Sequence, residues 1–213
     1  MRLLNIKNLK FLHCGPIDLQ VKANEITGLS GTSGSGKSLF LRALADLEEH
    51  SGDIVLDELN QQTIAAHLWR QKVALLSAET SWWFDTVAEH FDELAEKKLA
   101  DPEFSNMGFS NMEFSNLGFS KDVMQWSIAR LSSGEKQRLG LLRLIQNEPE
   151  VLLLDEPTAN LDKHNTQLFE KFVKQYLEKK SACAIWVSHD HEQLQRISNR
   201  RYEIEEGQLI NVG

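Results

Sequence analysis

Hydrophobic and polar positions change rhythm several times along the chain, and each change predicts an element. Over residues 2–27 the pattern is that of short strands: Leu19 and Val21 alternate with Asp18, Gln20 and Lys22, and a polar turn follows at residues 22–25. Residues 26–30 predict another strand, interrupted by the glycine-rich stretch 31–36. Residues 37–48 predict a helix, with Phe40, Leu44 and Leu47 on one face and Leu41 beside them. Ser51 and Gly52 stop it, and residues 53–56 return to strand. Residues 151–154 and 182–187 are apolar without alternation, as expected of central parallel strands buried on both faces. Between them, residues 163–179 carry Leu168, Phe172 and Tyr176 at a spacing of four and predict a helix. Strand, loop, helix, strand, helix, strand in that order predicts an α/β fold with a mainly parallel sheet.

One segment follows neither rhythm. From Phe104 the chain reads FSNMG, FSNME, FSNLG, FSKD, a tandem repeat of period five that places Phe104, Phe109, Phe114 and Phe119. Five residues advance about 140° around a helix, so the rings cannot share a helix face. Five is odd, so they cannot share a strand face either. The expectation is an expanded surface loop over residues 103–121, since loops tolerate insertion. The alternative is an adhesive aromatic patch for a partner.

Composition narrows the function classes. The 213 residues correspond to a single domain, here 1–213. A balance of 23 Lys+Arg against 31 Asp+Glu gives a net charge of −8, which argues against a direct nucleic-acid partner. The longest apolar run, 182–187, has six residues, where a membrane-spanning helix needs about 20. Residues 1–7 carry no signal-peptide hydrophobic stretch, and Cys14 and Cys183 are too few for a disulfide framework or a metal site. The expectation is a soluble protein of a reducing, cytoplasmic compartment.

Gly31-Thr32-Ser33-Gly34-Ser35-Gly36-Lys37-Ser38 matches G-x-x-x-x-G-K-[ST]. Glycines let backbone N–H groups turn inward around phosphate oxygens, and the following helix start adds its positive dipole end. Lys37 brings a point charge to the β- and γ-phosphates, and the Ser38 hydroxyl is a hard ligand for Mg²⁺. This motif alone leaves kinase, GTPase and ATPase open.

Three further features bear on the choice. Asp155 and Glu156 end a buried strand, where parallel sheets bind ligands. Asp155 is placed to reach the Mg²⁺ shell, and Glu156 to polarise a water against the γ-phosphate. His189 follows the buried run 182–187 at the same sheet edge, where an imidazole N–H can hydrogen-bond that phosphate. His13, His50, His67, His90, His164 and His191 take the ordinary structural or surface reading. Leu131-Ser132-Ser133-Gly134-Glu135-Lys136-Gln137-Arg138 is a helix start, readable as a plain N-cap or as a second anion site.

Together these residues resemble the ATP-binding-cassette (ABC) ATPase family. Residues 31–38 match its Walker A motif, 131–138 its signature, 152–156 its Walker B, 159–162 its D-loop and His189 its switch histidine. The resemblance implies a P-loop NTPase core with an N-terminal antiparallel β-subdomain and a helical subdomain inserted over about 79–145. It implies ATP and Mg²⁺ as ligands, with Glu156 and His189 catalytic and Ser38 and Asp155 holding the metal. Nucleotide contacts would come from Gly31, Thr32, Ser33, Gly34, Ser35, Gly36, Lys37 and Ser38, and from Ser132, Ser133, Gly134 and Asp162. It further implies a head-to-tail dimer of two copies, each ATP lying between one Walker A and the other's signature, and a separate transmembrane permease that holds the chain at the inner membrane face. Trp82 and Trp83 fall in the stretch that docks such a partner, with local packing as the alternative reading. The alternatives are a stand-alone ABC ATPase acting on nucleic acid or ribosomes, and a weakly hydrolysing regulatory module.

The chain departs from the family pattern at four places. Ala78 occupies the glutamine position of the Q-loop, and the neighbouring Glu79 offers a carboxylate oxygen instead. Ser133 stands where glycine is usual, a mild change unless φ is positive there. Phe11 and His13 are the candidates for stacking on adenine, in a shortened segment. Asn24-Glu25 replaces a glycine-glutamate turn.

Overall fold

The strands of the computed structural model, which describes residues 3–91 and 111–213, form two sheets. β1 (Leu3–Phe11), β2 (Cys14–Lys22), β4 (Ser51–Leu56) and β5 (Leu59–Asn60) pair antiparallel in the order β2-β1-β4-β5. β3 (Ile26–Ser30), β6 (Val73–Leu76), β7 (Val151–Asp155), β8 (Cys183–Val187), β9 (Arg200–Glu205) and β10 (Gln208–Asn211) make the second sheet, ordered β10-β9-β3-β8-β7-β6. All its neighbours are parallel except β10, which runs back along β9. The helices are α1 (Lys37–Leu44), α2 (Ala66–Lys72), α3 (Asn111–Asn116), α4 (Ser133–Ile145), α5 (Lys163–Lys180) and α6 (His191–Ile197).

The absence of alternation in the central strands has a direct structural cause. Leu152 and Leu154 of β7 face one core, while Val151 and Leu153 face the other. Ala184 and Trp186 of β8 join the first core, and Cys183, Ile185 and Val187 the second. Each strand therefore needs apolar residues at every position. The second core lies between the two sheets and α1, and Trp69, Phe11 and Phe40 are its largest buried members. The first core holds α4, α5 and α6, with Phe169 edge-on to Trp186.

Two expectations about helices need correction. The helix expected over 37–48 ends at Leu44. Asp46 takes φ 56°, its N–H donates to Ala43 O at 3.1 Å, and the Leu47 N–H donates to Arg42 O at 2.8 Å. This paired closure satisfies the last carbonyls and turns Leu47 out to solvent, away from the predicted apolar face.

The expected surface loop at 103–121 is overturned across its described part, and so is the adhesive patch for Phe114 and Phe119. Phe114, Leu117 and Phe119 are buried in the first core; Phe104 and Phe109 lie outside the described residues. The period-five problem is solved by a helix stop. α3 ends at Asn116, Gly118 takes φ 77°, and the Phe119 N–H donates to Phe114 O at 3.0 Å while the Gly118 N–H donates to Ser115 O at 3.0 Å. A left-handed glycine at this point reverses the chain, so two rings that no helix could align both face inward. The string F-S-N-L-G-F at 114–119 thus carries its own cap.

Candidate functional site

The carboxyl ends of β3, β7 and β8 lie side by side, and each delivers part of the site. β3 passes into the phosphate loop. Gly36 caps α1 with φ 101°, and a Cβ there would stand 2.9 Å from Cys14 Sγ, so any side chain would be both strained and obstructed. The buried Lys37 ammonium donates to Gly31 O and Thr32 O, each at 2.9 Å. Burial lowers its pKa, and the charges of Glu156, Asp155 and Glu203 act in the opposite sense. Thr32, Ser33, Gly34 and Ser38 are exposed.

β7 ends on Asp155, which is buried, and its Oδ1 has no hydrogen-bond partner. A buried carboxylate oxygen left unsatisfied is costly unless a cation or donor completes it. With the hard hydroxyl of Ser38 exposed in the first turn of α1, these two oxygens fit a Mg²⁺ shell. Glu156 follows with φ 47°, an uncommon conformation for a non-glycine residue and one that clusters at functional sites. Its N–H donates to Val187 O at 3.1 Å, and its Oε1 stands 3.3 Å from His189 Nε2. Burial raises the Glu156 pKa and Asp155 adds to the rise, against the pull of His189 and Lys37. A carboxylate whose pKa burial raises, held beside an imidazole, suits proton transfer from a water.

The structure therefore brings Walker A, Asp155, Glu156 and His189 together. It does not bring the signature residues to them. Ser132 is the N-cap of α4: its hydroxyl accepts from the Glu135 N–H at 3.2 Å, and the Glu135 carboxylate accepts from the Ser132 N–H at 2.8 Å. Ser133 is the first helical residue and does not take positive φ, so serine there carries no strain. Gly134 is needed for closeness: a Cβ would lie 2.7 Å from Asn160 O and 3.0 Å from Leu161 Cδ2. The signature thus packs on the D-loop, whose Asp162 caps α5 by accepting from the Asn165 N–H at 2.8 Å. Hydrogen bonds from Asn165 hold the Asp162 carboxyl below the usual range. α4 packs on β6, and β6 is three strands from β3 in the sheet, roughly 14 Å away at ordinary strand spacing.

The adenine candidates separate by burial. Phe11 is 2% exposed and packs against Phe40, with centroids 6.0 Å apart, so it belongs to the core. His13 is exposed at the β1–β2 turn. Asn24 takes φ 64°, which explains how it stands in for a glycine. Glu79 is exposed, and the carboxamide reaching this region is that of Gln137, whose Nε2 donates to Ser77 O at 3.0 Å. Gln137 is legible in the sequence only as a member of the 131–138 signature, and Thr158 and Gln193 not at all, because a single polar residue on a turn or helix carries no signal of its tertiary partners.

The repeat segment reaches the signature helix directly. The Arg138 guanidinium donates to Leu117 O and lies over the Phe119 ring, 4.6 Å from its centroid.

A profile of the ABC transporter family matches residues 14–159, well over half of the chain. The chain belongs to the ABC transporter family. Protein STAR1 of Oryza sativa subsp. japonica is 34% identical over 200 residues, covering 92% of this chain and 56% of the rice protein. The probable iron export ATP-binding protein FetA of Escherichia coli (strain K12) is 28% identical over 200 residues, 90% of this chain and 87% of its own length. Among solved structures, cbiO1 of Clostridium perfringens, part of the ABC transporter complex cbiONQ, superposes with a TM-score of 0.82 at 21% identity, over 97% of this chain and 86% of that one. That likeness concerns the fold, which is the expected P-loop core with an antiparallel β-subdomain. This ABC cassette is accordingly of the ATPase kind, and the kinase and GTPase readings of the phosphate loop fall away. Among the described residues no helix is long and apolar enough to cross a membrane.

Proposed function

We propose that this ABC cassette binds and hydrolyses ATP as a head-to-tail pair of copies and drives a separate transmembrane permease at the inner face of the membrane. The observation that carries the reading is the separation of the signature from the phosphate loop within one chain. A helix start beside the far sheet edge can meet a γ-phosphate only if a second copy brings one to it. ATP then joins two acidic chains of net charge −8 each.

In this reading the backbone of residues 31–36 cradles the phosphates and Lys37 neutralises the β- and γ-oxygens. Ser38 and Asp155 hold Mg²⁺, which offsets phosphate charge. Glu156 takes a proton from a water whose oxygen attacks the γ-phosphorus. The bond from γ-phosphorus to the bridging oxygen breaks, and ADP leaves with the electron pair. His189 orients the γ-phosphate and the Glu156 carboxylate. Ser132, Ser133 and Gly134 of the second copy close over the same phosphate, next to its Asp162. The helical subdomain over 79–145 carries the exposed Trp83 and Phe84 toward the permease.

Glu156→Gln tests this. The variant should bind ATP, form an ATP-dependent dimer by size-exclusion chromatography, and lose phosphate release by a factor of about 100 or more. The wild type should show an acid limb in kcat displaced above the ordinary carboxylate range, because burial raises the Glu156 pKa and only the ionised form accepts the proton. A variant that stays monomeric in ATP, or that turns over normally, overturns the proposal.

A further inference from the structure

Gln193 is 2% exposed, and its carboxamide is bonded on both ends. Nε2 donates to Thr158 Oγ1 at 2.9 Å and to Glu170 Oε1 at 2.8 Å, while Oε1 accepts the Ser188 hydroxyl at 2.9 Å. A carboxylate can only accept, so the amide nitrogen must face Glu170, and this sets the orientation of the group. Glu170 is held from behind by Arg196, whose Nη2 donates to Oε1 at 2.7 Å and whose Nε donates to Oε2 at 3.3 Å. The base of α6 is tied down as well: Asp190 Oδ1 accepts from the Gln193 N–H at 2.9 Å, and Ser188 Oγ accepts from the Asp190 N–H at 3.1 Å.

The partners of this side chain give it meaning. Thr158 stands two residues beyond Glu156, and Ser188 stands one residue before His189. β7 ends at Asp155 and β8 at Val187, so the sheet ladder no longer sets the spacing of the chains where these two groups emerge. Past that point one backbone bond, from the Glu156 N–H to Val187 O, joins the segments, and Glu156 itself sits in the strained left-handed region. A strained residue keeps its conformation only if its surroundings over-determine it.

We infer that Gln193 is a positioning residue for hydrolysis: as a buried crosspiece between Thr158 and Ser188, it sets the 3.3 Å approach of His189 to Glu156. The inference rests on the roles proposed for Glu156 and His189. It adds to them a residue in the first turns of α6 that never meets the nucleotide. The buried Glu170 carboxylate, paired with the exposed guanidinium of Arg196, supplies the fixed point against which the amide is braced.

Gln193→Met keeps length and burial but removes the bridge. Its kcat should fall by about tenfold to a hundredfold, as for a misplacement of about 1 Å, while ATP affinity by equilibrium binding and the far-UV spectrum stay those of the wild type. Gln193→Glu sets a second carboxylate against Glu170 and should lose turnover similarly. Combining it with Glu170→Gln exchanges the two groups, leaves Arg196 a carboxylate three residues away on its own helix, and should restore kcat to within about threefold of wild type. Wild-type turnover in Gln193→Met overturns the inference. So does a double variant no more active than Gln193→Glu, which also decides the matter should the methionine variant fail to fold. Glu156→Gln and His189→Ala are measured alongside. If these retain turnover, the underlying reading fails; if they lose it while Gln193→Met keeps it, only the inference fails.

Discussion

His90 shows how much one buried polar side chain can organise. Its Nε2 lies 3.1 Å from both the Trp83 and the Phe84 backbone N–H groups, and its Nδ1 lies 2.9 Å from Thr86 O. Two donors on one nitrogen and an acceptor on the other require the neutral ring protonated at Nδ1. Burial lowers the His90 pKa and the charge of Arg143 adds to this, while the Thr86 carbonyl and Glu89 act in the opposite sense. The rings of Trp82, Trp83 and Phe84 surround it edge-on at 4.8 to 5.1 Å. Protonating Nε2 would place a donor against two donors. For a histidine with a depressed folded-state pKa, the stabilisation is fully present above the unfolded value of about 6.5 and is lost as pH falls through the folded value. Thermal unfolding should therefore show a loss of stability below neutrality that His90→Asn largely abolishes, the variant being weaker by about 1–2 kcal/mol at pH 8. An identical pH dependence in the variant would remove His90 as the cause.

At the scale of elements, the repeat segment and the signature helix are one packed unit. Phe119, 5% exposed, supports Arg138, which in turn is bonded to the chain at Leu117. Burial lowers the Arg138 pKa, with Glu135 and Asp162 acting against the shift. Phe119→Ala removes a buried ring from this unit and should cost about 3–5 kcal/mol in urea unfolding. Gly118→Ala should also destabilise, because it loads a Cβ onto φ 77° within 3.1 Å of Arg138 Nη1. A near-neutral result for Phe119→Ala would return the segment to the status of a surface loop. Periodicity arguments failed here because they assume that one element continues. Gly118 stops the helix, and the rings' inward direction depends on that reversal, which spacing alone does not express.

For the whole molecule, the partner question turns on one exposed aromatic patch. Trp83 is 64% and Phe84 48% exposed, while Trp82 is packed against the core and donates its indole N–H to Thr80 Oγ1 at 2.9 Å. Arg143 spans both indoles, 4.4 Å from the Trp82 ring and 4.7 Å from that of Trp83. Exposure and packing are therefore divided between adjacent tryptophans. Trp83→Ala should weaken copurification with a polytopic membrane protein and change stability by less than about 0.5 kcal/mol. Undiminished copurification would remove Trp83 from the docking surface, and a large loss of stability would reassign it to packing.

The amino-acid order by itself determined the phosphate loop, the acidic strand end and the doubly buried strands. These are local strings whose chemistry is complete within a few residues, and a strand buried on both faces has to be apolar throughout. The tertiary structure decided which of the motifs share a space. Walker A, Glu156 and His189 converge because parallel strands end on one edge, whereas the signature lies across the sheet on the D-loop. It also assigned Phe11 to the core and Gln193 to the bridge between Thr158 and Ser188, residues 35 and 5 positions away. Contacts over such separations are set by the packing of whole helices on the sheet, and no spacing along the chain records them.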